Sequence, residues 1–388
     1  MKKIIFLVSS KFSDRDYIRF GFKDLINKGY DVSAWDCLDI IYKNYEIKKD
    51  EILSPELNYA YRKHHLKFAS KSNLLKHISK IDKNDFFIIN FPLQKDNKFI
   101  FNYLNKKRLI YGYMMLGILP FQIVTGGSIL KYISKINYLI RRIVNTIQSK
   151  ILFNSVLFKP SFVITAGEIP RLNVLNKYKN TIDIINTHAF DYDTSLKTIN
   201  KSIDEKLPER YAVFLDENNV AHPDLIYNNA EQVCEPTKYI NELKEYFLKF
   251  ELKTNLPIVI AAHPKGDYSF HYDNFRIVYS LTSELVQKAD VVIMQASASI
   301  NFAVLYKKPI IFLNSKSYIK SYYESINKLA SSLDLQPAQI GNNLIDITIP
   351  KVVDTSYSLY VNNYIKEDLN DTENIWDKFD KYIHQYLV

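Results

Sequence analysis

Cysteine is almost missing from this 388-residue chain, which has only Cys37 and Cys234. Two thiols cannot build a disulfide framework or a cysteine-rich zinc centre, and they point to a reducing compartment. Glycine (9) and proline (13) are also scarce, which excludes collagen-like and linker-dominated architectures. No long apolar run has the composition of a membrane span. Leu109–Leu130 is 22 residues without a charge, but Pro120, Gln122, Thr125 and four glycines interrupt it, so a buried strand running into a loop is the first reading, shallow membrane insertion the second and a true span the third. The opening Met1-Lys2-Lys3 followed by Ile4–Ser10 imitates a leader, yet Lys11, Asp14, Arg15 and Asp16 follow at once, so an opening buried strand is expected. P-loop, GxGxxG, GxSxG, HExxH and paired CxxC signatures are all lacking, and the eight histidines show no metal-ligand spacing. A metal-dependent hydrolase is therefore disfavoured.

What is present is a globular balance of 47% hydrophobic and 24% charged residues, over a length that suits two domains. Short apolar runs alternate with longer amphipathic ones, the pattern of a layered α/β fold. Strands are expected at Ile4–Ser9, Asp31–Trp35, Phe86–Phe91, Leu109–Met115, Phe162–Thr165 and Ile182–Asn186. Helices are expected at Asp14–Lys28, Phe68–Ile81 and Ser128–Leu152. After a polar, patternless stretch the alternation restarts, with strands near Tyr211–Leu215, Pro257–Ala262, Asp290–Met294 and Pro309–Leu313. The expected architecture is two Rossmann-like domains facing a cleft: residues 1–194, a connector at 195–209, residues 210–355, and closing helices at 356–388.

Charge is unevenly distributed. Residues 1–200 carry 32 Lys/Arg against 17 Asp/Glu, whereas residues 201–388 carry 19 against 25. Between Asp96 and Glu168 there are ten bases and no acid, a field that attracts anionic lipid, acidic glycan or nucleic acid. Lys131, Lys135, Arg141, Arg142 and Lys150 punctuate the apolar residues of Ser128–Leu152, as in a helix lying on an anionic membrane surface or in an ordinary domain helix with a basic outer face. No nucleic-acid-binding module is visible.

Three short features follow apolar runs in the second half. Asp216-Glu217-Asn218 succeeds Tyr-Ala-Val-Phe-Leu and offers a carboxylate as general base or hydroxyl acceptor; an acidic turn is the plainer alternative. His263-Pro264-Lys265 succeeds Ile-Val-Ile-Ala-Ala; Pro264 ends the strand and holds His263 extended, where it can protonate a departing phosphate while Lys265 adds positive charge. Ser297-Ala298-Ser299 precedes the helical pattern Ile-Asn-Phe-Ala and suits either a phosphate site or a simple N-cap by Ser299. Asp14, Asp16, Asp191 and Asp193 are further candidate bases from the first half.

In order and spacing these features resemble bacterial sialyltransferases and related CMP-sugar transferases, which carry a D/E-D/E-G motif, then HP, then S-S/T, in the nucleotide-binding half of a GT-B fold. The segments His263–Tyr268 and Ser297–Leu305 are similar to stretches of capsule-locus proteins. The likeness covers roughly residues 210–315, with two departures: Asn218 stands at the motif glycine, and Ala298 separates the serines. The resemblance implies a metal-independent glycosyltransferase with no cofactor. It would move a sialic, pseudaminic, legionaminic or Kdo-type sugar from CMP to an oligosaccharide or lipid-linked glycan, with inversion, on the cytoplasmic side of an inner membrane. By that likeness His263 acts on the CMP phosphate, Ser297 and Ser299 hold it, and Asp216 is the base. Glu217, Asn218, Pro264 and Lys265 contribute to donor binding. An NDP-sugar or CDP-polyol transferase of the same fold, or a non-catalytic membrane-peripheral assembly protein, are the alternatives.

Overall fold

The computed structural model describes residues 1–10, 12–42, 59–122, 159–199, 206–220, 231–263, 268, 272, 274–341 and 347–386. The basic segment Ser128–Leu152 and the residues Pro264 and Lys265 lie outside these.

Among the described residues the first unit is a seven-stranded sheet in the order β3-β2-β1-β4-β5-β6-β7. Its strands are β1 (Lys3–Val8), β2 (Asp31–Asp36), β3 (His65–Lys67), β4 (Phe86–Ile89), β5 (Ile110–Met115), β6 (Phe162–Ala166) and β7 (Asp183–Thr187). All pairings are parallel. Parallel strands are covered by helices on both faces, so the central ones read as unbroken apolar runs. β4 and β6 are buried at every position. The helices are α1 (Asp14–Arg19), α2 (Phe22–Asn27), α3 (Leu38–Ile41), α4 (Tyr59–Arg62), α5 (Lys71–Ile78), α6 (Lys98–Lys107), α7 (Glu168–Tyr178) and α8 (Phe190–Thr198). The single helix expected over Asp14–Lys28 is two, broken at Gly21, whose φ of 59° is left-handed and whose missing Cβ leaves room for the indole of Trp376.

The second unit repeats the plan in a six-stranded sheet, β10-β9-β8-β11-β12-β13. It comprises β8 (Ala212–Leu215), β9 (Ile258–Ala261), β10 (Arg276–Val278), β11 (Val291–Met294), β12 (Ile310–Ser315) and β13 (Ala338–Ile340), again all parallel. Counted within the unit this is the 3-2-1-4-5-6 order of a Rossmann sheet. Its helices are α9 (Pro236–Thr254), α10 (Thr282–Lys288), α11 (Ile300–Leu305), α12 (Lys320–Ser331) and α13 (Asp354–Tyr360). In α9, Glu235 caps the first turn through Thr237 N–H and Lys238 N–H, and Tyr239, Leu243, Tyr246, Phe247 and Phe250 form its buried stripe. The chain is thus α/β with two Rossmann-like units in series, the fold class read from the sequence.

One boundary differs from the sequence reading. Helix α8 continues to Thr198, with Ser195 and Thr198 buried, so the connector begins later than residue 195. The closing helix α14 (Ile375–Tyr386) lies in the expected range and packs on the first sheet. Its Phe379 ring lies 5.4 Å from Phe162 and Trp376 lies 5.6 Å from Phe6. Tyr30 donates to Asp380 at 2.6 Å and Lys378 to the Asn186 carbonyl at 2.9 Å. No helix among the described residues is long and apolar enough to cross a membrane, and the start of Leu109–Leu130 is strand β5 followed by a 3-10 turn at Pro120–Gln122.

Candidate active site at the carboxyl ends of β9, β8 and β11

The three sequence features fall on strands that are direct neighbours, in the order β9, β8, β11. Between β8 and β11 the chain order reverses, so the crevice for ligands of such sheets opens at their carboxyl ends.

Successive residues leaving β8 diverge, as extended backbone dictates. Asp216 turns towards β9. It is buried, its Oδ1 accepts from the Asn218 N–H at 3.1 Å, and the hydroxyls of Tyr268 and Tyr272 bond to its carboxylate. These contacts raise the pKa of both phenols, after burial, and commit Asp216 to holding the turn. Glu217 turns towards β11: its Oε1 accepts from the Ala296 N–H at 2.5 Å and from the Tyr322 hydroxyl at 3.1 Å. Glu217 keeps some solvent access, but protein crowds its carboxyl. Desolvation pushes its pKa up to about 7; the two hydrogen bonds oppose the rise and the Asp216 charge adds to it.

Asn218 occupies the left-handed region at φ 52°, the conformation that a motif glycine would take and that Asn tolerates best among other residues. Its side chain is buried, and neither amide atom has a hydrogen-bond partner. Asn219 continues into a polar cluster below Glu217. Its Nδ2 donates to Tyr322 Oη at 2.6 Å and to Tyr239 Oη at 3.1 Å, while Gln295 accepts from Tyr239 and donates to Tyr318 at 2.7 Å.

At the end of β9, the His263 N–H donates to the Tyr268 hydroxyl at 2.6 Å, which ties this residue to the same tyrosine that holds Asp216. At the end of β11, the Ser297 hydroxyl accepts from the Ser299 N–H at 3.3 Å, while Ser299 itself makes no capping bond. The simple N-cap by Ser299 is thus replaced by a turn closed from Ser297. Helix α11 behind it is only six residues long, and its Asn301 donates to Asp191 of α8 at 3.0 Å in a buried contact between the two units.

Two of the first-half carboxylates are engaged elsewhere. Asp16 completes a capping box with Ser13, and Asp193 lies 3.4 Å from buried His188. Desolvation raises the pKa of Asp193 and lowers that of His188. Arg15 keeps solvent access, yet crowding by protein and by Arg19 lowers its pKa to about 10. Two cavities of 390 and 210 Å³ lie away from the motifs, where Glu242, Ser317 and Gly341 meet the start of α9. The site is placed by converging chemistry, not by their concavity.

Comparison with known protein families and with curated proteins gives no match. Solved structures do match over nearly the whole chain. S. aureus MnaA with UDP has 13% identity and a TM-score of 0.48, covering 98% of this chain and 91% of its own. The wall teichoic acid polymerase TagF (H444N variant) has 12% identity and a TM-score of 0.49, covering 99% and 88%. The glycosyltransferase SnogD from Streptomyces nogalater has 11% identity and a TM-score of 0.47, covering 99% and 99%. Likeness at this level assigns no activity.

The structure therefore brings together Asp216, Glu217, Asn218, His263, Ser297 and Ser299, leaves Asp16 and Asp193 apart, and places Asp191 against Asn301 beside the Ser297–Ser299 turn. Sequence reading missed Asn219, Tyr239, Gln295, Tyr318 and Tyr322. The 29 tyrosines of the chain were a signal of polar aromatic networks, but not of their location.

Proposed function

We propose that the chain is a glycosyltransferase whose donor is a CMP-activated 2-keto acid sugar and whose acceptor is a surface glycan. The observation that carries this reading is the hydrogen bond that the Ala296 N–H, directly before the Ser297–Ser299 turn, donates across the β8–β11 crevice to Glu217, with His263 on the neighbouring strand end. Among the described residues these three strand ends offer an imidazole, two hydroxyls and carboxyls, and Lys265 of the same strand end lies outside them. Imidazole and hydroxyl donors of this kind suit a departing phosphate.

In the reaction an acceptor hydroxyl attacks the anomeric carbon while a carboxylate takes its proton. The bond from that carbon to the phosphate oxygen breaks, and CMP leaves with the bonding pair. His263 stabilises the departing phosphate, and the Ser297 and Ser299 hydroxyls donate to it. The ten bases between Asp96 and Glu168 support an acceptor presented at an anionic lipid surface.

The test is thermal stabilisation of the protein by CMP, CDP, UDP and GDP, beside His263→Ala. Selective stabilisation by CMP, weakened in the variant, is expected, because a ligand bound only by the native state raises the midpoint. Preference for UDP or GDP moves the assignment to an NDP-sugar transferase, and preference for CDP to a CDP-polyol transferase. No response to any nucleotide refutes the enzymatic reading.

A further inference from the structure

We propose that Glu217 is the group that hands a proton to the leaving phosphate, and that Tyr322 and the Ala296 N–H position it for that step. The inference rests on the functional reading above and moves to Glu217 the proton transfer first read for His263.

The geometry separates the two oxygens of this carboxyl. Both donors fall on Oε1, from Ala296 at 2.5 Å and Tyr322 at 3.1 Å, leaving Oε2 for a ligand. Ala296 immediately precedes the Ser297–Ser299 turn, so the Glu217 carboxyl is held at the start of that turn. Asp216 is excluded from the same task by its bonds to Asn218, Tyr268 and Tyr272. Independently, the buried Asn218 amide beside Asp216 has no partner for either atom, as expected of a site completed by ligand.

The chemistry follows from charge. An ionised carboxylate facing a phosphate repels it, whereas a protonated one donates a hydrogen bond to it. Crowding and the Asp216 charge keep Glu217 protonated up to about pH 7. The other titratable groups packed around it are the phenols of Tyr239, Tyr318 and Tyr322, which burial holds neutral. As the anomeric C–O bond breaks, its electron pair stays on the phosphate oxygen, which takes the proton from Oε2. Glu217 is left as a carboxylate and regains a proton from solvent after CMP departs.

The experiment is calorimetric titration of the full chain with CMP from pH 5.5 to 8.5, in pairs of buffers with different ionisation heats. Wild-type protein is expected to take up a proton above pH 7, with affinity falling about tenfold per pH unit there. Glu217→Gln keeps a neutral donor, so it binds CMP without that uptake or slope. Tyr322→Phe removes a donor to the carboxylate and moves the uptake to higher pH, a shift that loss of packing alone does not produce. A carbon-13 titration of the Glu217 carboxyl in the free protein, assigned with Glu217→Gln, is expected to place its midpoint near neutrality. The assignment is overturned if Glu217→Gln retains the wild-type slope, if His263→Gln abolishes it, or if the carboxyl titrates at its ordinary value. CMP binding without the Glu217 dependence overturns this assignment alone; binding of no nucleotide overturns the functional reading and this assignment with it.

Discussion

Replacing Asn218 with glycine should make the free protein more stable and the liganded one weaker. The left-handed backbone at φ 52° costs a non-glycine residue about 1 kcal/mol, somewhat less for Asn. Two buried amide atoms lack partners, and each such group costs about 1–3 kcal/mol. Glycine removes both terms and keeps the N–H that donates to Asp216. Against this stand roughly 0.5–1 kcal/mol of extra backbone entropy and the lost contacts of the side chain. The net expectation is a gain of about 1–2 kcal/mol, which in a unit of this size raises the melting midpoint by about 2–4 °C per kcal/mol. If ligand supplies the missing partners, Asn218→Gly loses one or two hydrogen bonds of about 1 kcal/mol each, so CMP affinity falls roughly 5- to 30-fold. Urea denaturation with and without CMP reads both effects. Destabilisation by more than about 1 kcal/mol, together with unchanged CMP affinity, refutes the reasoning.

The raised Glu217 pKa also makes stability depend on pH. A carboxyl that binds its proton more tightly when folded stabilises the fold fully below its unfolded value, and that contribution is lost as pH rises through the folded value of about 7. Between about pH 4.5 and 7 this amounts to roughly 3 kcal/mol, and Glu217→Gln is expected to abolish that slope in urea titrations across the window. Trp376→Ala empties a buried indole site against Gly21 and Phe6 and is expected to cost about 3–5 kcal/mol. Although residue 376 belongs to the tail, hydrogen exchange should rise first in β1 and α2 of the first unit and not in β8 or β11.

The readable parts of the fold were those where burial on both faces leaves a continuous apolar signature. Ile4–Val8, Phe86–Ile89, Val291–Met294 and Ile310–Leu313 stand out for that reason. The missed strands, His65–Lys67, Arg276–Val278 and Ala338–Ile340, are three-residue segments with partly exposed positions, too short to carry a pattern. Gly21 broke the first helix because of Trp376, which is 355 positions away in the chain and supplies no local signal. At the site, proline and hydroxyl residues directly after apolar runs marked the strand ends correctly. What the sequence could not convey was direction. Asp216 and Glu217 are adjacent, yet one serves the tyrosines beside β9 and the other reaches β11, and the donors that hold Glu217 lie 79 and 105 residues further on.

That difference in direction bears on where the acceptor's base comes from. Asp216 is saturated by donors and Glu217 is assigned to the leaving group, which points to the first unit. Asp191 is the first-unit carboxylate that comes closest to the proposed phosphate turn, because it bonds Asn301 two residues beyond Ser299. In this state it is an acceptor for an amide, not a free base. Asn301 holds that bond with its Nδ2 while its own Oδ1 stays buried without a partner. A buried orphan acceptor of this kind keeps the contact from being as favourable as a fully satisfied one. The two units are therefore joined next to the site by a bond that is well formed on one side of the amide and incomplete on the other. Helix α11 carries both ends of the problem: its entry turn is the proposed phosphate site, and its first turn holds the carboxylate that acceptor chemistry would need.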